Sequence, residues 1–398
     1  MRLLSSVLTF FVLCAPILAV PTTLKSVESF AGERNHGSYI IKLKPGVAKN
    51  NILKSLGEKA THQWDAALNG FAGKFSDRAL KFLRASPLVE SISEDGIMHI
   101  FQDSDVVTQT DAPWGLARIS SPTTVEGPAA GLNFTYTYAP PAGEGVDVYV
   151  VDTGVFTNHT QFGGRARWGA TFGSYKDADG HGHGTHCAGT VAGSTYGVAK
   201  AANIIAVKVL SDGGSGSVAD IVSGLNYVLD SYQASGRPTI VSMSLGGGRS
   251  TPLDNAVATL TAGGVHVVIA AGNSNTDAAN TSPARAPSAI TVGASNIADA
   301  RASFSNYGAV VDVFAPGQDV ISSWIGSDDA TNKISGTSMA TPHVAGLVAY
   351  LISVHGNKTP AEIEALVVEL SSKDALTGIP SGTANRIAQN GIAASAVL

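Results

Sequence analysis

The sequence predicts a large α/β domain built on a mostly parallel sheet, preceded by a small ferredoxin-like α+β segment. Three observations predict it. Six short and almost wholly apolar runs alternate with helical patterns over 105–398, as strands covered on both faces by crossover helices do. The 398 residues are 44% hydrophobic and only 14% charged, with 44 glycines. That suits a large buried core with tight turns, and it excludes a disordered chain, a coiled coil and a small disulfide scaffold. Charge also changes sign along the chain, with 11 Lys+Arg against 9 Asp+Glu over 20–104 and 14 against 22 over 105–398. Opposite signs suit two parts that bind each other. The net charge of -5 gives a nucleic-acid partner no electrostatic support.

The first element is not part of the fold. Met1 and Arg2 precede a nearly continuous apolar run to Val20, and Ala19 offers a cleavage position. Residues 1–19 therefore read as a secretory signal peptide. The run is long enough for a membrane helix, but it carries Pro16 and no stop-transfer cluster follows. No membrane anchor is expected. Cys14 leaves with the signal, so Cys187 is the single thiol of the exported chain and no internal disulfide can form. Asn133, Asn158, Asn280 and Asn357 each open an N-x-[ST] sequon and are expected at the surface as glycan acceptors.

Residues 20–104 read as strand, helix, strand, helix, strand. The strands fall at 38–43, 71–75 and 89–92, with a further candidate at 97–100, and the helices at 48–60 and 77–85. Ser76 or Asp77 caps the second helix. The order is that of a split β-α-β unit. His36, His62 and His99 are scattered and read as structural or solvent-facing.

Residues 105–398 carry strands at 146–151, 204–209, 240–243, 265–270, 289–292 and 311–314. Helices are expected at 218–232, 252–262 and 339–354, the last apolar enough to lie at the centre. Thr359-Pro360-Ala361-Glu362 is a capping box that opens a helix to about residue 370. In such a sheet, functional residues gather at the carboxyl ends of the strands.

Four residues carry the chemistry. Asp152 ends the first strand, and Gly154 permits a sharp turn after it. An Asp there is costly to bury without donors, and alone it reads equally well as a turn residue. His186 stands in His181-Gly182-His183-Gly184-Thr185-His186-Cys187, near the start of a helix opened by Ala188. A metal reading of the Gly-His repeat is weak, because the i,i+4 spacing of helical zinc sites is missing. Ser338 opens the long apolar helix, where backbone N–H groups favour developing negative charge; alone it is a helix cap. Asn273 follows the strand ending at Ala270, and its amide can donate to an oxyanion. The order Asp, His, Ser is that of subtilisin.

The Asp-Thr-Gly at Asp152, the His-Gly-Thr-His ending at His186, the Gly-Thr-Ser-Met-Ala-x-Pro around Ser338 and the Ala-Gly-Asn ending at Asn273 resemble the motifs of the subtilisin-like serine proteases of peptidase family S8. The likeness is to secreted fungal enzymes of the proteinase K type. The resemblance implies a three-layer fold around a parallel sheet. It implies a signal at 1–19, an inhibitor I9-type propeptide at 20–104 that chaperones and plugs the protease, and a peptidase domain at 105–398, with self-cleavage near Ser104/Asp105.

By the resemblance, Ser338 is the nucleophile, His186 the general base, Asp152 its orienting partner and Asn273 an oxyanion donor. Gly214, Ser215 and Gly216 form one edge of the cleft and Ser244, Leu245, Gly246 and Gly247 the other, clamping a peptide as an added strand. Ala270, Ala271 and Gly272 line the S1 pocket. With no charge there, an apolar or aromatic P1 residue is favoured. Asp312, with the carbonyls of Pro287 and Ala289, matches a structural calcium site. No organic cofactor is expected. The partners expected are protein and peptide substrates and the chain's own propeptide, around a monomer. Cys187 is expected to be buried and outside the chemistry.

Overall fold

The structure is a computed structural model, and it describes residues 24–30, 34–97 and 106–392. The signal segment 1–19, Cys14, His99 and the Ser104/Asp105 bond lie outside the described residues. The chain divides into two compact units, Met1–Phe101 and Gln102–Leu398.

The first unit runs β1 (Arg34–Leu43), α1 (Lys49–Leu56), β2 (His62–Trp64), β3 (Gly70–Lys74), α2 (Asp77–Ala85) and β4 (Val89–Gly96), with sheet order β2-β3-β1-β4. The described pairings are antiparallel, so the split β-α-β reading holds with one strand, β2, added. Ser76 caps α2 by accepting from the Ala79 N–H. Ile97 falls outside any strand, and the rest of 97–100 is outside the described residues. One small core, including Ile41, Leu43, Phe71, Leu83 and Ile92, packs the helices onto the sheet.

The second unit runs β5 (Val107–Ala112), α3 (Trp114–Ser120), β6 (Phe134–Tyr138), β7 (Asp147–Asp152), β8 (Ala166–Thr171), α4 (His183–Ala192), β9 (Asn203–Lys208), α5 (Val218–Ser235), β10 (Thr239–Met243), α6 (Thr251–Ala262), β11 (His266–Ala270), β12 (Ile290–Ser295) and β13 (Val313–Pro316). It continues with β14 (Val320–Ser323), β15 (Thr331–Ile334), α7 (Thr337–His355), α8 (Pro360–Leu370), β16 (Ser372–Lys373) and β17 (Arg386–Ile387).

Nine strands form the main sheet in the order β16-β17-β13-β12-β11-β10-β7-β9-β8. All its pairings are parallel except β16 with β17. The six predicted strands are β7, β9, β10, β11, β12 and β13. The short β5–β6 and β14–β15 pairs and the edge strands carry too little apolar pattern to be read. Alternate residues of β7 explain the three layers. Val148 and Val150 enter one core with α3, α4, α7 and α8, while Tyr149 and Val151 enter another with α5 and α6.

The predicted capping box of α8 is present, with Thr359 and Glu362 satisfying each other's backbone. Helix α7 is long and apolar enough to cross a membrane, but 83% of its apolar window is buried inside the protein. It is the central core helix. From β7 the chain builds β8 and β9 on one side of the sheet, then returns to build β10 on the other. The crevice at the carboxyl end of β7 is therefore a topological switch point, where α/β sheets bind ligands.

Candidate active site

Asp152 is the last residue of β7 and is fully buried. Its Oδ1 accepts from the Thr153 N–H at 2.7 Å and hydrogen-bonds His183 Nδ1 at 2.8 Å. Its Oδ2 is buried with no hydrogen-bond partner among the described residues, so the carboxylate is held through one oxygen. Gly154 turns the chain at φ 108°, where a Cβ would stand 2.8 Å from the Trp168 ring.

The histidine assignment needs correction. The residue beside Asp152 is His183, and the expected His186 is elsewhere. Helix α4 starts at His183, five residues before the expected Ala188, so His183 occupies the first turn and reaches the strand end. His186, one turn on, is fully buried; its Nε2 hydrogen-bonds the Val320 carbonyl at 3.1 Å and its ring meets the Trp324 ring edge-on. Burial depresses His186 to about 3, so it stays neutral. Burial also opposes charge on His183, but the adjacent Asp152 carboxylate outweighs it and raises the imidazole well above its ordinary range. With Nδ1 donating to Asp152, Nε2 is the basic nitrogen.

A glycine lets His183 come so close. A Cβ on Gly184 would lie 2.0 Å from the Gly154 carbonyl oxygen. Cys187, also buried, has Sγ 4.0 Å from His183 Nδ1 and donates to the Ser338 carbonyl at 3.5 Å. Burial pushes its thiol up, so it faces His183 uncharged. Ligand atoms of Asp152, His183 and Cys187 fall within 4.8 Å of one another. Within this trio the Asp152–His183 contact is a hydrogen bond.

Ser338 is the second residue of α7, behind Gly336, which caps the helix without a side chain. Its N–H is one of the first-turn donors that no helical carbonyl claims. Four residues later stands Pro342, whose missing N–H frees the Ser338 carbonyl. That carbonyl accepts from Ser244 Oγ at 2.8 Å and from Cys187. In return, Ser338 Oγ donates to the Ser244 carbonyl at 3.2 Å. Asn273 Oδ1 accepts from the Thr337 N–H and hydroxyl at 2.8 and 2.9 Å, which turns Nδ2 away from them. A Cβ on Gly336 would lie 3.4 Å from Asn273 Nδ2 and 3.5 Å from Ser338 N. Two donors thus flank one spot beside the serine, the arrangement an oxyanion needs.

His183, Asn273 and Ser338 share a cleft of about 670 Å³. Gly214, Ser215 and Gly216, Ser244, Leu245, Gly246 and Gly247, and Ala270 and Gly272 line it together with Asn273, Ser338 and His183. A Cβ on Gly216 would strike the Val209 carbonyl at 2.1 Å. Ala271 is the second correction. One residue on from Ala270, it points to the opposite side and packs in the core that also holds Val241 and Ile269. His181, Leu210, Val218 and Ile221 also line the cleft and were not expected. Val218 and Ile221 share one face of the first turn of α5 and read in sequence as ordinary core positions. No Asp, Glu, Lys or Arg is among the described lining residues.

Asp312 lies before β13 and accepts from the Thr291 N–H at 2.8 Å. Burial raises it to about 6. Glu364 of α8 is raised to about 7 by burial and by Asp312. The four sequon asparagines, Asn133, Asn158, Asn280 and Asn357, are all exposed. The amide oxygens of Asn280 and Asn357 accept from Arg249 and His266.

Comparison with known proteins agrees with this geometry. Residues 143–389 match the subtilase family model and residues 38–101 the peptidase inhibitor I9 model. A cuticle-degrading protease of Metarhizium anisopliae is 45% identical over 98% of this chain and 99% of its own length. The alkaline serine protease ver112 of Corniculantispora psalliotae is 47% identical, covering 95% and 96%. The crystal structure of a cold-adapted subtilisin-like serine proteinase superposes with a TM-score of 0.65 at 44% identity, covering 70% of this chain and 98% of its own. The chain belongs to the subtilase family: it is a subtilisin-like serine protease with an inhibitor I9 segment ahead of its peptidase domain.

Proposed function

We propose that the protein is a secreted, self-processing endopeptidase of broad specificity that prefers apolar or aromatic P1 residues. The observation that carries this is the Asp152–His183 hydrogen bond at the mouth of a cleft that also holds Ser338 and Asn273. Ser338 Oγ turns from the Ser244 carbonyl toward His183 Nε2, gives up its proton there and attacks the peptide carbonyl. The carbonyl oxygen moves between Asn273 Nδ2 and the Ser338 N–H. His183, held by Asp152, then gives the proton to the leaving amine, and water releases the acyl group by the same steps in reverse. An uncharged Gly-rich cleft supports backbone recognition and an apolar P1. The triad, the oxyanion donors and the cleft come from one chain, which supports a monomer.

Segment 20–104 acts as chaperone and inhibitor until it is cut from 105–398 near Ser104/Asp105, after signal 1–19 has directed export. The sequons carry glycans at Asn133, Asn158, Asn280 or Asn357, all of them exposed. The donor set at Asp312 fits calcium. Burial opposes the charge of the Asp312 carboxylate, and Asp312 in turn raises half-buried Glu364; a bound cation would favour the charged carboxylate, and oxygen ligands are what calcium takes. Asp312 and the carbonyls of Pro287 and Ala289 would hold the ion, which supplies a structural cross-link.

The test compares secreted wild type with Ser338→Ala. Wild type should have a mature N-terminus near Asp105, digest denatured protein and lose activity to a serine-directed covalent inhibitor. Ser338→Ala should stay a precursor and digest nothing. Equal digestion by both would overturn the reading. Asn273→Ala should lower kcat about 10²–10³-fold, the size found for the equivalent change in subtilisin.

A further inference from the structure

Asp179 carries no expected role, yet its carboxylate is buried and accepts five hydrogen bonds. Oδ1 accepts from Thr153 Oγ1 at 2.9 Å, the His181 N–H at 3.1 Å and the Gly182 N–H at 2.9 Å. Oδ2 accepts from the Thr185 N–H at 3.0 Å and from Thr185 Oγ1 at 2.6 Å. Part of this is helix capping. Gly182 caps α4 without a side chain, and Asp179 supplies the missing acceptor. Capping does not require Thr153, which belongs to the other catalytic segment.

Thr153 closes a ring. Its hydroxyl donates to Asp179 and accepts from the Gly184 N–H at 3.0 Å. Its own N–H donates to Asp152 Oδ1, the atom that His183 Nδ1 also meets. Asp152, Thr153, Gly184 and His183 are thus joined in a loop of bonds, and Asp179 anchors it. The Thr153 carbonyl is held in turn by buried Lys208 Nζ, which also meets Asp212; Asp212 accepts from the Gly180 N–H at 3.2 Å.

We propose that Asp179 and Thr153 are positioning residues that fix His183 against Asp152 before substrate arrives. This rests on the endopeptidase reading above. Both Asp179 oxygens face N–H or O–H donors, so an amide would set N–H against N–H on one side. A 1 Å displacement of a catalytic group can cost about 10²-fold in rate.

The experiment measures kcat, KM and the pH profile of kcat/KM per titrated active site in T153A, T153S and D179N, with S338A assayed per mole of protein. T153A leaves the Asp179 cap on Gly182 and Thr185 intact. It should lower kcat roughly 10-fold with KM within about twofold. Its acid limb should move to lower pH, because the Asp152 contact that raises His183 is loosened. T153S, which keeps the hydroxyl, should recover most of both. D179N should lose about 10²-fold in kcat. T153A with wild-type kcat and acid limb, whatever its melting temperature, would reduce Thr153 to packing and overturn the proposal. Should D179N fail to be secreted, the T153A and T153S pair decides alone. If S338A turns over like wild type, the nucleophile assignment falls and this proposal with it. If S338A is dead and T153A behaves as wild type, only the positioning role falls.

Discussion

Two histidines lie three residues apart on α4 and have opposite electrostatics. His183 exposes 21% of its side chain to the cleft and faces a buried carboxylate. His186 is sealed among β14, Trp324 and the helix, with a neutral carbonyl as partner. Burial opposes charge on both, and the Asp152 carboxylate is the chief group that separates them. The same residue type on one helix becomes a base or a wedge according to which strand end it meets.

The largest effect should come from His183→Ala. Turnover should fall roughly 10⁶-fold, as removing the same group does in subtilisin, whereas His186→Leu should keep turnover per folded molecule within about threefold. If the leucine variant is the dead one, the correction is wrong. Gly184→Ala comes next, because its Cβ meets the Gly154 oxygen at 2.0 Å and the two loops must part. A loss of about 10²-fold in kcat is expected, and wild-type kinetics would show that the loops can yield.

His186→Leu should instead cost about 2 kcal/mol of stability, because it leaves the Val320 carbonyl buried without its donor. Urea unfolding reads this directly. The smallest effect concerns pH. His186 at about 3 and His343 at about 4 are both held down by burial, so the unfolded chain binds their protons first. Their stabilisation is complete above about pH 6.5 and is lost as pH falls toward 4 and 3. His183 has the reverse sign, contributing at low pH and fading as pH rises through its raised value. Unfolding midpoints at pH 5 and 7 should therefore differ less in His186→Leu than in wild type. The acid limb of activity, set by His183, should have its midpoint above the ordinary histidine value in both proteins.

Much of this was legible in the chain. Asp152, Asn273 and Ser338 stand where a periodic segment meets a glycine, and such junctions are visible in sequence. So were the six inner strands, since burial on both faces leaves an unbroken apolar run. The choice between His183 and His186 was not legible. Both sit in one glycine-rich stretch, and the start of α4 depends on Asp179, an acceptor four residues before the helix. One clue was available. Gly184 directly follows His183, and a residue without a Cβ beside a histidine marks close backbone approach. Ala271 was misplaced because apolar neighbours after a strand look alike until the period of two is carried past its end.

The end of the large unit lies against its beginning. Asn390 donates to the Ile119 carbonyl through its backbone N–H and to the Thr137 carbonyl through its side chain, Gln389 donates to the Arg118 carbonyl, and β17 pairs with β13. A ribosome must therefore deliver nearly the whole chain before the first helix of this unit finds its last partners. Contacts so distant in sequence make folding slow and leave apolar strands unpaired for longer. Removing residues 386–392 should then do more than trim an edge: it should leave a nascent chain that never closes.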